Sequence, residues 1–351
     1  MEPRHFDLLT LALLPGLPPR QREELLRHAD LRRVLERPLD HPGLLPPRAQ
    51  EALAGGTLRR QAEAEVRGCA AAGVRLLALG EPDYPEALAR IADPPPVLWV
   101  RGTLPERERP CVAIVGSRQA TGAGLALART LAHDLSRAGV VVVSGLALGI
   151  DGEAHRGALA GGAPTVAVLG TGLGRVYPAS HASLGARVAA QGALVSEFPL
   201  QAPAFKSSFP RRNRVIAGWA AGVVVVEAAL RSGALITARL ALEEGREVMA
   251  VPGHPSTPTA EGTNALIRDG AVLVRGAADV ALELGLMLPA AGAAAGGEPV
   301  LEALCGTVPL SLDELQARSG LPVPELLQRL SALELEQRVQ RLPGALYVRG
   351  N

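Results

Sequence analysis

Seven short apolar runs alternate with helical stretches between residues 111 and 274. The runs are CVAIVG (111–116), VVVVSG (140–145), TVAVLG (165–170), ALVSE (193–197), GVVVVE (222–227), EVMAVPG (247–253) and AVLV (271–274). Runs that are apolar throughout, rather than at every second residue, are typical of parallel strands buried on both faces. The alternation therefore predicts an α/β fold class with a Rossmann-like, doubly wound parallel sheet.

The segments on either side of this region have different patterns. Residues 1–80 contain short helical stretches broken by Pro and Gly, which predicts an N-terminal helical domain of the sterile-alpha-motif (SAM) or helix-hairpin-helix type. Residues 81–287 are predicted to form the extended Rossmann-like domain, and the Ala- and Gly-rich stretch 288–299 a flexible linker. In residues 300–351, helical stretches precede a hairpin around Pro343-Gly344, which predicts a C-terminal winged-helix domain.

Charge and cysteine usage limit the function classes. The formal net charge is +1, so any site for a polyanion must be a local patch on a balanced surface. Cys69, Cys111 and Cys305 are far apart and form no CxxC motif, which disfavours a zinc site or redox pair and fits a reducing cytoplasm. The N-terminal apolar run is too short to span a bilayer, and no secretory signal precedes it, so we expect a cytoplasmic protein without a membrane partner.

Small-residue turns follow the predicted strands. They are GSRQATGAG (116–124), SGLALGIDGEAH (144–155), GTGLGR (170–175) and EAALRSGALITA (227–238). Because parallel strands end at one edge of the sheet, these turns should present backbone N–H groups together, an arrangement that binds phosphates. The alternative is that any α/β protein needs glycine at tight turns. The first turn lacks GxGxxG and no GxxxxGK[ST] loop occurs, which disfavours nicotinamide or ATP and predicts no cofactor.

The segment KSSFPRRNR (206–214) concentrates positive charge around one aromatic residue. Positive groups can follow a phosphate backbone while an unpaired base stacks on a ring such as Phe209, and Asn213 can hydrogen-bond a base or sugar. The segment thus indicates a single-stranded nucleic-acid site. The alternative is a solvated loop whose arginines pair with acids, with Phe209 packed in the core.

The motifs VAIVGSRQAT, SGLALGIDGEAH, FPRRNRVIAG, SGALITA and GTNALIRDGA (262–271) closely resemble the DNA-processing protein A (DprA/Smf) family. The resemblance covers the α/β core densely and extends to both terminal regions. It implies a non-catalytic protein, not an enzyme, that binds single-stranded DNA, protects incoming DNA during natural transformation and homologous recombination, and loads the recombinase RecA as a homodimer. Weak or no duplex binding is expected.

The resemblance also implies site residues. The positions that match DNA-contact motifs are Gly116, Ser117, Arg118, Ser144, Gly145, Leu146, Lys206, Phe209, Arg211, Arg212, Asn213, Arg214, Ser232 and Gly233. Asp151 is assigned to the same edge as a helix-cap residue. The segment implied in self-association and RecA contact contains Asn264, Leu266 and Ile267.

A nucleotide hydrolase or a nucleotide-sensing protein is the alternative function. Related Rossmann-like hydrolases carry PGGxGTxxE with a catalytic glutamate, whereas alignment of SGALITARL on Thr237 places Leu240 at that position. No catalytic residue is therefore predicted, although Glu197 and Glu227 lie near the edge as possible bases.

Two further groups of residues have the composition of a binding site. Asp151, His155 and His181 could suggest a metal or acid–base site, but we predict no metal, with His155 a packed structural histidine. Acids also dominate the third helix of the predicted winged helix, with Glu325, Glu334 and Glu336 against Arg329, which disfavours groove reading by that helix.

Overall fold

The structure is a computed structural model that describes residues 2–28, 30–41, 43–287, 300, 303–304, 309–336 and 338–349. These residues form two compact units, 1–286 and 287–351. The predicted linker, 288–299, and Cys305 lie outside the described residues.

The first unit contains a nine-stranded, mostly parallel sheet in the order β1-β2-β6-β5-β4-β3-β7-β8-β9. Its strands are β1 Arg75–Ala78, β2 Val97–Gly102, β3 Cys111–Val115, β4 Val141–Ser144, β5 Thr165–Leu169, β6 Ala193–Ser196, β7 Gly222–Val225, β8 Glu247–Ala250 and β9 Val272–Leu273. Strands β3 to β9 are mutually parallel, whereas β2 pairs antiparallel with both β6 and β1.

Helices cover both faces of the sheet and form the N-terminal segment. They are α1 Pro3–Leu13, α2 Pro19–Arg27, α3 Leu31–Glu36, α4 Pro47–Ala54, α5 Thr57–Ala71, α6 Glu86–Ala89, α7 Gly122–Arg137, α8 Ile150–Gly161, α9 Ala182–Gln191, α10 Ser208–Trp219, α11 Gly233–Glu243, α12 Glu261–Arg268 and α13 Ala277–Glu283. Valine-rich strands fill the interior between these layers, and Val112, Val142, Val166 and Val224 have no exposed surface.

The strand order reverses direction between β3 and β7. From β3 the chain adds β4, β5 and β6 on one side, then returns to place β7 on the other side of β3. The loops on either side of such a reversal separate from each other, and ligands of doubly wound folds bind there, outside the carboxyl ends of the strands. This edge of the sheet, which we call the rim, is therefore the first place to look for a site.

All seven apolar runs form strands as predicted, and the doubly wound fold is confirmed. The sequence pattern missed β1, a four-residue edge strand within the segment expected to be helical. The separate domain at residues 1–80 stays a prediction. In the structure its helices share a core with the sheet, in which Leu9 and Leu25 belong to the same buried cluster as Trp99.

The described part of the second unit contains two of the helices and the hairpin predicted for a winged helix, and most of the first predicted helix, 300–306, lies outside the described residues. Its elements are β10 Leu310–Ser311, α14 Leu312–Ser319, α15 Val323–Leu335, β11 Val339–Leu342 and β12 Leu346–Arg349. Ser311 and Glu314 form a reciprocal capping box at the start of α14. Leu315, Leu326 and Leu330 are buried and form the centre of its core.

Candidate nucleic-acid interface

The loops after β3, β4, β5, β6 and β7 reach the rim, as does the loop after β8. The loop after β3 carries Gly116, Ser117 and Arg118 and leads into α7, whose N-cap Thr121 accepts a hydrogen bond from the N–H of Gly124 at 3.0 Å. The Ser117 N–H donates to the Glu227 carbonyl at 2.7 Å, which ties this loop to the one after β7. The loops on the two sides of the strand reversal are thus joined by their backbones.

The loop after β4 is fixed by buried groups. Ser144 donates its hydroxyl hydrogen to the Ile114 carbonyl at 2.6 Å and is fully buried. Asp151 accepts from the Gly145 N–H at 3.1 Å, and Leu146, which is also fully buried, has a left-handed φ of 57°. The buried side chains of Ser144, Leu146 and Asp151 therefore support the loop from within, and a direct contact of this loop with DNA stays a prediction.

Arg212 lies beneath these loops. Its Nη1 donates to the carbonyls of Gly145 at 2.6 Å and Val168 at 2.5 Å, so that it joins the loop after β4 to the end of β5. Burial lowers the pKa of its guanidinium to about 10, and Asp151 beside it offsets part of that shift. Burial also raises the pKa of the Asp151 carboxyl, which Arg212 opposes. Arg212 is therefore a buried cation that supports the loops, and its contact with a phosphate stays a prediction.

Phe209 lies at the surface between the loops and is half-buried. Its ring is packed against Gly170 at the end of β5, where a Cβ atom would lie 2.8 Å from Cδ1 of the ring. The guanidinium carbon of Arg118 is 5.3 Å from the ring centroid, and the Tyr177 ring is 5.7 Å away. Phe209 is therefore neither a core residue nor a free side chain. With Arg118 and Tyr177 it forms what we call the aromatic surface.

Other exposed groups lie on the loops that reach the rim. Lys206 and Phe205 follow β6, Leu148 follows β4, and Arg118 and Tyr177 are exposed as well. The chain has only four Phe, three Tyr and two Trp, and four of these nine, Tyr177, Phe198, Phe205 and Phe209, lie at the rim. Sequence reasoning missed Tyr177 and Phe205. Their rarity was a usable signal, because a protein with so few aromatic residues places nearly half of them at one edge.

Arg211 and Arg214 are held by carboxylates. Both donate to Oε2 of Glu197, with Arg211 Nε at 3.0 Å, and Arg214 also bonds the Asp93 carbonyl. Arg211 additionally lies over the Phe198 ring at 5.0 Å. The alternative interpretation of the segment, arginines paired with acids, thus describes Arg211 and Arg214. Lys206 is exposed and Phe209 is half-buried, and their contact with nucleic acid stays a prediction.

The remaining predicted residues have separate positions. Asn213 donates to the Gly233 carbonyl at 3.3 Å, and Ser232 caps α11 by accepting from the Ala234 N–H. Asn264 bonds both backbone groups of Gly253 from α12, at the β8–β9 side of the sheet. Leu266 and Ile267 follow on the same helix and are partly buried. Asn213 and Ser232 therefore lie where α10 meets α11, whereas the α12 residues lie away from the aromatic surface.

Glu227, His181 and His155 each have a hydrogen-bond partner within the chain. Glu227 accepts from the N–H of Thr121 at 2.9 Å and from its hydroxyl at 2.5 Å. His181 Nδ1 lies 3.0 Å from the Leu146 carbonyl, and His155 bonds Thr165. Among the described residues, no group of three or more His, Cys, Asp and Glu could hold a metal ion. No helix in that part of the chain is long and apolar enough to cross a bilayer.

Comparison with known proteins identifies the family. The model for DNA recombination-mediator protein A matches residues 75–285, and the model for the DprA winged helix domain matches residues 287–345. Protein Smf of Escherichia coli is 44% identical over 280 residues, which is 76% of this chain and 75% of that protein. This chain belongs to the DNA recombination-mediator protein A family.

Other members of the family support the assignment. DNA processing protein DprA of Bacillus subtilis is 40% identical over 60% of this chain and 72% of its own length. The X-ray structure of DprA from Streptococcus pneumoniae superposes with a TM-score of 0.72 at 32% identity, covering 82% of this chain and all of that one. DNA processing protein A from Helicobacter pylori, solved to describe its single-stranded DNA binding mode, matches with a TM-score of 0.54 at 28% identity, over 61% of this chain and 97% of its own.

Proposed function

We propose that this protein is a single-stranded DNA-binding recombination mediator that acts without chemistry of its own. The observation that carries the proposal is the cluster at the rim in which the half-buried Phe209 ring contacts the exposed side chains of Arg118 and Tyr177. A ring with a cation over it offers a base a π-face and offers its phosphate a charge, which is the combination used by single-strand binding proteins. The family relationship and the DNA binding described for the Helicobacter pylori protein support it.

In this proposal, different residues at the rim bind phosphates, stack bases and support the loops. Backbone N–H groups of the loops after β3 and β7 receive phosphates, and Arg118 and Lys206 add charge. Phe209 and Tyr177 stack unpaired bases, whereas Arg212 and Asp151 fix the loops from below. Sequence preference should be small, because stacking and backbone contacts do not read base edges. A duplex keeps its bases stacked internally and should bind weakly.

Protection of incoming DNA in natural transformation and the loading of RecA belong to the same proposal. Asn264, Leu266 and Ile267 on α12 are proposed to mediate self-association and RecA contact. Support comes from their position, since α12 lies at the β8–β9 side of the sheet and leaves the aromatic surface at the rim accessible. A homodimer joined there could hold two single strands at once.

The residues at the rim argue against a hydrolase. Leu240, at the position of the hydrolase glutamate, is partly buried and packs against the core. Glu227 is bonded to Thr121, and the side chain of Glu197 is only 2% exposed between two arginines, so neither is placed to activate water.

One observation favours a nucleotide-sensing alternative. A cavity of about 270 Å³ lies at the strand reversal, lined by Thr121, Glu227 and His254 among others. It is the size of a small ligand rather than a strand. Thermal shift with a panel of nucleoside monophosphates tests it: a raised melting temperature would support sensing, and base release would support hydrolysis.

Fluorescence anisotropy with labelled oligo-dT and with a matched duplex, repeated across salt concentrations, tests the main proposal. We expect tighter binding to the single strand and an affinity that falls steeply with salt. Arg118→Ala should weaken oligo-dT binding and reduce the salt slope by about 0.7, the value for one phosphate contact on a single strand. The control is Arg129→Ala, which removes an exposed arginine from α7. Equal affinity for duplex and single strand, or equal effects of the two substitutions, would contradict the proposal.

A further inference from the structure

A chain of charged side chains runs from the N-terminal helices to the rim. Arg22 on α2 donates to Asp93 from Nε at 2.7 Å and Nη2 at 2.5 Å. Asp93 also faces Arg214, whose Nε is 3.4 Å from Oδ2, and Arg214 in turn bonds Glu197. Glu197 holds Arg211 at 2.9 Å. We call these five residues the charge relay.

The relay is buried at one end and open at the other. The side chains of Arg22, Asp93, Arg214 and Glu197 are 7%, 14%, 11% and 2% exposed, whereas that of Arg211 is 37% exposed. Three guanidinium groups and two carboxylates leave one surplus positive charge. Because an unpaired charge is least costly near water, the surplus belongs at Arg211, which lies over the Phe198 ring.

The two oxygens of Glu197, at the centre of the relay, differ in their hydrogen-bond partners. Both Arg211 and Arg214 bond Oε2 of Glu197, whereas Oε1 is buried and has no hydrogen-bond partner in the described part of the chain. A carboxylate with both partners on one oxygen can take either arginine more fully through the other oxygen. The strength of the ion pair between Glu197 and Arg211 therefore depends on how closely Arg214 approaches Asp93.

We propose that Arg22, Asp93, Arg214 and Glu197 are positioning residues through which the N-terminal helices set how freely Arg211 reaches a phosphate of bound single-stranded DNA. The proposal rests on the function proposed for the rim. It makes a prediction of alternating sign. Without Arg22, Asp93 should pair more closely with Arg214, and Glu197 should then bind Arg211 more tightly. Without the charge of Asp93, Arg214 should pair more closely with Glu197, and Arg211 should then be free to bind a phosphate.

Oligo-dT anisotropy on the full chain tests the alternation. Arg22→Ala should weaken binding about tenfold, which is about 1.4 kcal/mol at 25 °C, and lower the salt slope by about 0.7. Asp93→Asn should strengthen binding and raise the slope. The matched control is Arg27→Ala, on the same helix but 78% exposed and paired with Glu23 outside the relay. A purely structural role would make both relay substitutions weaken binding, and that result would overturn the proposal, as would equal effects of Arg22→Ala and Arg27→Ala.

A double-mutant cycle checks that the effect passes through Arg211. In the Arg211→Ala background, Arg22→Ala should no longer change the affinity; an undiminished effect would overturn the relay. If the unaltered chain binds no oligo-dT, the function proposed for the rim fails, and the relay is judged by melting temperatures. Non-additive shifts for Arg22→Ala and Arg211→Ala would then support coupling between the two ends, and additive shifts would overturn it.

Discussion

The cations around α10 fall into two groups that the local sequence does not separate. Lys206 is exposed, as is Arg118 over the Phe209 ring, whereas Arg212 is 4% exposed and bonds backbone carbonyls under the loops. The exposed group can exchange water for phosphate at little cost, and the buried group cannot leave its partners without stranding them. Substitutions in the two groups should therefore affect different measurements: DNA affinity for the exposed cations and folding stability for the buried ones.

The largest expected effect is the loss of folding stability when the buried Arg212 is substituted. Arg212→Ala should lower the free energy of unfolding by roughly 3–5 kcal/mol, because it leaves Asp151 buried without its counter-charge and two carbonyls without donors. Chemical denaturation measures this loss, and Arg129→Ala, at an exposed site, should stay within about 0.5 kcal/mol. A small loss for Arg212→Ala accompanied by a large loss of DNA affinity would show that Arg212 belongs to the exposed group after all.

Acid should lower the folding stability through the buried imidazole of His155. Burial lowers the pKa of its imidazole to about 3, with His181 and Arg212 adding to the shift. The unfolded chain takes up this proton near pH 6.5, so the unfolded state binds more protons between those values and stability falls as pH drops through them. By pH 4.5 the contribution lost is about 2–3 kcal/mol. His155→Gln should flatten the pH dependence of urea unfolding between pH 6.5 and 4.5 relative to the unaltered chain, whereas His254→Gln, at an exposed site, should not.

On the exposed side, Phe209→Ala should weaken oligo-dT binding by about 1–3 kcal/mol, the range for loss of one base–aromatic stack. Phe209→Tyr keeps the ring and should bind nearly as well as the unaltered chain. Anisotropy titrations at one salt concentration measure both. If the two substitutions weaken binding equally, the ring does not stack a base.

The smallest expected effect belongs to Lys206→Ala. It should reduce the salt slope of oligo-dT binding by about 0.7 and weaken binding equally for different base sequences, because a phosphate contact carries no sequence information. Folding stability should stay unchanged, since Lys206 is exposed. An unchanged slope would remove Lys206 from the DNA path and leave Arg118 as the cation beside the ring.

The sheet was predictable because its strands are buried on both faces and their apolar runs are continuous. The strand β1 was missed because RLLA is short and lies at an edge, where no such run is required. At the site, the sequence located the segment 206–214 but not the different roles of its members. Arg211, Arg212 and Arg214 have carboxylate or carbonyl partners that come from residues 93, 145, 168 and 197, and pairing over such distances along the chain leaves no local pattern.

The antiparallel pairing of β1 with β2 affects how the chain can be divided. A fragment that begins at residue 81 would lose β1 and expose the hydrogen-bonding edge of β2, including Trp99, whose ring N–H is bonded to Glu65 at 2.8 Å. Unpaired apolar edges of this kind template intermolecular strand addition. Such a fragment should aggregate on purification. By pairing with β2, the N-terminal segment protects the edge of the whole sheet from pairing with another molecule.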